Sequence, residues 1–357
     1  MKLEEVTPFF GKRVVVRTRG ETRYEGVLEK VDNDPQRVYL QPVVSGERPT
    51  IPLSEIRAVH PASAAGTITI GGDLSVHRMG YGAMRLTGPG IWGWPEDREN
   101  ALRVLRRAVE LGVNFIDTAD AYGPEINEEE IATALHPYPP DVVIATKGGN
   151  TRPGPGQWEP DCRPERLKAC CEGSLRRLKL DRIDLYQLHT VDDNVPFEEQ
   201  VGALRDLRDE GKIRHVGLSN VSFEELRKAQ QIVPIVSVQN RYNMMHRGGD
   251  NERIIEYCET NGLAFLPWFP LGAGDEQITD NTEAQVVAKA HGARVPQIAL
   301  AWLLHRSPCV LPIPGTSSIA HLEENMAAAN IELNEEDLVR LGLRQPASAH
   351  HGAHDER

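Results

Sequence analysis

Asp117, Tyr122, Lys147 and His189 are the side chains whose types and positions could do chemistry together. Lys147 closes the run Val142-Val-Ile-Ala-Thr-Lys147, so an ammonium follows apolar residues into a confined space. Burying that charge is costly unless a carboxylate neutralises it. Asp117, at the end of Val113-Asn-Phe-Ile-Asp117, is the expected partner. A tyrosine held against such a lysine has its phenolate favoured, which is expected to bring its pKa down toward the working range. Tyr122 could then pass a proton to a carbonyl oxygen near neutral pH, and a neutral His189 could hydrogen-bond and orient the same oxygen. Each group also has a plainer reading: the Asp–Lys pair can cement a core, the histidine can be a satisfied core residue, and the tyrosine can be packing. Their recurrence at successive strand ends argues for a proton-donating site.

Those strand ends follow from an alternating pattern that begins at residue 67. Glu96 to Leu111 is amphipathic, with Ala101, Leu102, Leu105, Ala108 and Val109 on one face, and Gly112 stops it. Gly211 ends a second helix before Ile213-Arg-His-Val-Gly-Leu218, and Asn261-Gly262 a third before Leu263-Ala-Phe-Leu-Pro-Trp268. Strands are expected to begin near 79, 113, 142, 183, 213, 235, 263 and 310, with amphipathic segments between them. This alternation predicts an α/β fold, a parallel (β/α)8 TIM barrel, whose active site lies at the C-terminal strand ends. Thr67-Ile-Thr-Ile70 and Leu74-Ser-Val-His77 flank Gly71-Gly72-Asp73 and predict a hairpin in front of it.

Residues 1–62 read differently. Short β-branched runs at 13–17, 24–28, 37–41 and 51–56 are separated by turn residues, which predicts a small all-β barrel domain. The domains expected are therefore 1–62, the large barrel at 67–345, and a disordered tail at 346–357. With 357 residues, a net charge of −12 and 40% hydrophobic content, the composition excludes a whole-surface nucleic-acid binder. No apolar run is long enough to span a membrane, and the start does not read as a signal peptide. The five cysteines show neither a zinc spacing nor a disulfide framework, so no metal is expected and a reduced cytoplasm is.

Gly88-Pro-Gly-Ile-Trp-Gly93 matches the dinucleotide fingerprint letter for letter. Physically it fails, because Pro89 has no N–H to offer a pyrophosphate and Trp92, Trp94 and Pro95 crowd the turn. A loop rich in Gly, Pro and Trp is the better reading.

Asp117-Thr-Ala-Asp-Ala-Tyr-Gly123, Thr146-Lys147, His189, Gly217-Leu-Ser-Asn220, Val238-Gln-Asn-Arg-Tyr-Asn243 and Pro312-Ile-Pro-Gly-Thr316 with Glu323-Glu-Asn325 resemble the signatures of the aldo-keto reductases. The resemblance spans about 67 to 345 and implies NAD(P)H-dependent reduction of an aldehyde or ketone, with the cofactor extended across the barrel mouth. It implies Tyr122 as general acid, Lys147 and Asp117 as its tuners, and His189 as the residue orienting the carbonyl. It further implies that Ser219, Asn220 and Gln239 hold the nicotinamide carboxamide, and that Trp268, followed by Pro270 and Leu271, stacks on the ring. Ile313, Gly315, Thr316, Ser317 and Ser318 would approach the adenosine phosphate, with Glu324 and Asn325 at the adenine. Family members that strongly prefer NADPH often carry a lysine at the Gly315 position and an arginine at the His321 position. His321 and the hydroxyls at 316–318 could serve a 2′-phosphate instead, so NADP(H) is expected and NAD(H) is the alternative. The opening Met79-Gly-Tyr-Gly-Ala-Met-Arg-Leu-Thr-Gly-Pro-Gly90 and Ala301-Trp-Leu-Leu-His-Arg-Ser-Pro308 are similar to a bacterial branch, the pyridoxal reductases, which implies pyridoxal or another small aromatic aldehyde.

Val14-Val-Val-Arg-Thr and Tyr24-Glu-Gly-Val-Leu-Glu-Lys-Val-Asp32 resemble the start of an Sm-like, SH3-like small barrel, a class that binds RNA or forms rings. The RNA-contact pattern is incomplete here, so a structural or oligomerising use is expected. A second functional reading therefore stands beside the enzyme: a nicotinamide-binding regulatory protein whose N-terminal barrel engages RNA or a protein.

Overall fold

The computed structural model describes residues 13–18, 23–30, 37–41, 50–61, 65–272 and 278–344. The predicted tail at 346–357 lies outside the described residues.

Parallel strands β8 (Tyr81–Gly82), β9 (Phe115–Asp117), β10 (Val143–Gly148), β13 (Ile183–Leu188), β14 (Ile213–Ser219), β15 (Ile235–Gln239) and β16 (Ala264–Phe265) form one sheet in that neighbour order, and β11 (Asn150–Thr151) pairs with β12 (Glu159–Pro160) in the loop after β10. The eighth position is not a regular strand. Pro312 and Pro314 carry no N–H, so the segment after Cys309 cannot complete a ladder. It closes the barrel through single bonds: Phe265 donates to Cys309 and Leu311 to Phe265 on one side, Gly80 to Pro312 and Gly82 to Pro314 on the other. The predicted TIM barrel is thus present.

The first barrel helix, α1 (Arg98–Glu110), starts two residues later than the periodicity suggests, because the Asp97 side chain caps it by accepting from the Asn100 N–H. Val104 takes the buried place expected of Val109. Further helices are α2 (Ile126–Leu135), α3 (Pro164–Leu178), α4 (Phe197–Asp209), α5 (Phe223–Ala229), α6 (Asn251–Asn261), α7 (Thr282–Ala290), α8 (Val295–Arg306), α9 (Ile319–Ala327) and α10 (Glu335–Arg340).

The hairpin β6 (Thr67–Ile70) with β7 (Leu74–His77) pairs Ile70 with Leu74 as the turn predicts. Its Ile70, Leu74 and Val76 join Phe115, Val143, Ala145, Leu185 and Leu266 in one buried cluster inside the barrel. The hairpin therefore stoppers the end opposite the strand C-termini. Asp73 at its tip accepts from Arg214 at 2.6 Å and meets His215 Nε2 at 2.6 Å. Above this apolar plug, the same inward faces change to Asp117, Lys147, Gln187 and Gln239, all buried.

Ahead of the hairpin, β1 (Arg13–Thr18), β2 (Arg23–Lys30), β3 (Arg37–Gln41), β4 (Thr50–Pro52) and β5 (Ile56–Pro61) form an antiparallel sheet ordered β4-β3-β2-β1-β5. Val14, Val16, Leu28, Val38 and Ile51 are buried. Among the described residues β4 and β5 stand at the two edges of this sheet.

Candidate active site

Alternation along a strand sends every second residue inward. In β13 this places Leu185 in the plug and Gln187 above it, with His189 next beyond the strand; in β10 it sends Ala145 and Lys147 the same way. Lys147 is fully buried and its ammonium has three partners. It donates to Asp117 Oδ2 at 2.7 Å, to the Thr118 carbonyl at 2.8 Å, and to the Tyr122 hydroxyl at 3.2 Å. The other Asp117 oxygen accepts from Gln239 at 2.8 Å and from Gln187 at 3.3 Å. Burial disfavours the ammonium, yet Asp117 and Tyr122 together outweigh it and hold the Lys147 pKa above its ordinary value.

For Tyr122 the balance falls against the expectation. Burial pushes its phenol above the usual tyrosine value, the Lys147 charge pulling the other way without winning. Asp117, which neutralises the lysine, also adds its own negative charge beside the phenolate. The resting tyrosine is consequently a protonated phenol throughout the neutral range, the form that can donate. His189 behaves as expected: burial first, then the Lys147 and Arg152 cations, hold its pKa well below 6.5 and the ring neutral. Its ring lies edge-on to Tyr122 with centroids 5.7 Å apart.

Asp117, Tyr122, His189, Ser219, Asn220, Gln239, Trp268, Pro270, Leu271, Ile313 and Gly315 line one cavity of about 410 Å³, with Lys147 behind Tyr122. Asn220, in the left-handed region at φ 56°, accepts from the Trp268 indole N–H at 3.0 Å and donates to the His189 carbonyl at 3.0 Å. Through Met84, Arg85, Ile91 and Gly315 this cavity shares walls with a second one of about 750 Å³, which Thr316 and Ser317 also line. The two form a trough that runs from the Tyr122 group past the shared Gly315 wall to the second cavity beside Thr316 and Ser317. Ser318 caps α9, accepting from the His321 N–H at 3.4 Å. His321 is exposed on that helix, while Asn325 is buried on it. Glu324 is engaged by Arg294, which donates to both its oxygens at 2.8 and 3.0 Å.

The rejected fingerprint is a packed loop. A Cβ at Gly88 would strike the Trp92 carbonyl, and one at Gly90, at φ 70°, would lie 3.0 Å from Pro155. These glycines admit backbone to backbone, and the segment lies at the barrel mouth rather than at a Rossmann turn. Sequence reasoning missed Gln187, although its place two residues before His189 on one strand face was a usable signal. Trp158, in the long loop after β10, also lines the cavity, 6.1 Å from the Tyr122 ring and 5.9 Å from His189.

Comparison with known proteins finds that the description of the Aldo/keto reductase family matches residues 78–342. An uncharacterized oxidoreductase of Schizosaccharomyces pombe is 48% identical over 280 residues, covering 78% of this chain and 90% of that protein. The pyridoxine 4-dehydrogenase of Escherichia coli is 44% identical over 284 residues, covering 78% of this chain and 98% of that protein. Among solved structures, an aldo/keto reductase from Klebsiella pneumoniae in complex with NADP and acetate superposes with a TM-score of 0.64 at 29% identity. That match covers 77% of this chain and 93% of the other.

Proposed function

Since the chain belongs to the aldo/keto reductase family, we propose that its Asp117, Tyr122, Lys147 and His189 carry out the NADP(H)-dependent reduction of a carbonyl compound to an alcohol. The observation that carries this reading is the buried Lys147 ammonium set between the Asp117 carboxylate and the Tyr122 hydroxyl, at 2.7 and 3.2 Å. Bound NADPH supplies the hydride that goes to the carbonyl carbon. The Tyr122 hydroxyl gives its proton to the carbonyl oxygen as that oxygen gains charge. Lys147 stabilises the phenolate so formed, and Asp117 keeps the lysine charged in a dry site. Neutral His189 hydrogen-bonds the carbonyl oxygen and fixes its approach.

The trough fits an elongated dinucleotide. Ser219, Asn220 and Gln239 present polar groups beside Trp268 at the reacting end, and the 315–317 backbone with the capped start of α9 offers N–H groups to a phosphate at the other. NADPH is the cofactor, and the solved NADP complex of a relative supports that choice. His321, Thr316, Ser317 and Ser318 are proposed to meet the phosphate; Glu324 and Asn325 are proposed at the adenine. The substrate proposed is pyridoxal or another small aromatic aldehyde, a reading supported by the likeness to pyridoxine 4-dehydrogenase.

Turnover of pyridoxal and nitrobenzaldehyde, followed by NADPH consumption, tests the activity. Tyr122→Phe is expected to lower kcat by roughly 10²- to 10⁴-fold, the span of one general acid, while NADPH affinity stays nearly unchanged. A Phe variant retaining most activity would remove Tyr122 from its role. Residues 1–62 are proposed as a separate small β-barrel of Sm-like outline serving structure or self-association, with 67–345 as the catalytic domain. A mass measurement in solution with and without residues 1–62 checks the association. The buried, unpaired cysteines suit the reduced cytoplasm proposed as its location.

A further inference from the structure

Arg152 and Trp158 stand in the loop after β10, outside the proton-donating group. Arg152 is 9% exposed, and no carboxylate lies within ion-pair distance of its guanidinium among the described residues. Its donors go to backbone carbonyls of three different loops. Nε donates to Gln157 at 2.7 Å; one terminal nitrogen donates to Ile91 at 3.0 Å and Ala121 at 2.9 Å; the other donates to Gly90 at 2.9 Å. Ala121 is the residue before Tyr122, and Ile91 lines the cavity. The guanidinium carbon also lies 3.7 Å from the Trp158 ring centroid, in stacking contact. Trp158 remains 36% exposed and lines the cavity beside Tyr122 and His189. Holding a cation in so dry a place is costly, and carbonyl dipoles together with an aromatic face are what offset it.

We propose that Arg152 is the positioning residue for substrate selection, holding the Trp158 indole as a flat wall beside Tyr122 so that planar aromatic aldehydes are favoured over aliphatic ones. The inference rests on the carbonyl-reductase reading above. Arginine is required because its planar fork can stack on one ring and donate to several carbonyls at once. A lysine offers a point charge with no face. A wall pinned from behind costs an incoming aromatic ring little ordering entropy, so the stacking contact appears as affinity.

The experiment measures kcat/KM for nitrobenzaldehyde and for propanal with NADPH in the wild type, Arg152→Lys, Trp158→Ala and the double variant. The aromatic-over-aliphatic ratio is expected to fall about tenfold in Arg152→Lys, mainly through KM for the aromatic aldehyde. Trp158→Ala is expected to fall similarly, and the double variant no further, because Arg152 acts through the indole. Trp158→Phe should restore most of the ratio. If Arg152→Lys lowers both substrates alike, or if the two single losses add, Arg152 is only a loop staple and the inference fails while the reductase reading stands. Should Arg152→Lys not fold, Trp158→Ala decides alone, since an unchanged ratio there overturns the wall. A wild type that binds NADPH but turns over neither aldehyde overturns both readings.

Discussion

Tyr122 shows how burial and charge compete within one side chain. The lysine beside it was expected to make the phenol more acidic, but the dry surroundings win in the resting state. The lysine matters later, when a negative charge appears on that oxygen and water is absent to meet it. Two residues earlier, Asp120 shows the same competition without a cation in contact. Burial first and the Glu128 charge second push its carboxyl up to about 7, and its Oδ1 has no hydrogen-bond partner among the described residues. Between 3.8 and about 7 the folded chain keeps a proton that the unfolded chain has lost, so stability falls as pH rises through that window. The full cost is present above it, on the order of 4 kcal/mol as an upper figure. Asp120→Asn is therefore expected to raise the melting temperature relative to wild type at pH 8 and to bring little gain near pH 4. Thermal melts at the two pH values check it, and an equal shift at both would assign the gain to something other than ionisation.

At the scale of elements, the join between β8 and the proline-bearing segment decides what the phosphate end can contain. A Cβ on Gly315 would lie 2.5 Å from the Gly82 carbonyl, so the lysine that many family members carry there has no room in this backbone. Gly315→Lys is expected to destabilise the barrel by about 1–3 kcal/mol, as overpacking does, and to leave NADPH binding no tighter. Urea denaturation and cofactor titration measure the two effects; a stable variant with tighter binding would contradict the packing argument. The helix and strand alternation, the hairpin and the Asp117–Lys147 pair were all legible in the sequence, because periodicity and buried charge leave local marks. The irregular eighth stave was not, since Val310-Leu311 reads as a strand until its neighbours' missing N–H groups are counted. The Arg152 fork was not legible either, because three of its four acceptors are carbonyls some thirty to sixty positions away, and a backbone carbonyl carries no residue identity.

For the whole molecule, the hairpin stopper is fixed by more than its apolar residues. Burial pushes the Asp73 carboxyl up, but the bonds and charges of His215 and Arg214 together outweigh that and hold it below 3.8. Its contribution is present above 3.8 and is lost as pH falls through the lower folded value. Because the side chain is 45% exposed, Asp73→Ala is expected to cost no more than about 1 kcal/mol at neutral pH. The difference from wild type should shrink in acid, and urea denaturation at both conditions reads it. A loss that persisted unchanged in acid would show that packing, not the ion pair, seats the hairpin. The stopper also sets the layout of the interior. With apolar side chains of the hairpin and strands filling one end, the polar groups Asp117, Lys147, Gln187 and Gln239 are stacked on a dry floor and face only the mouth formed by the strand C-termini.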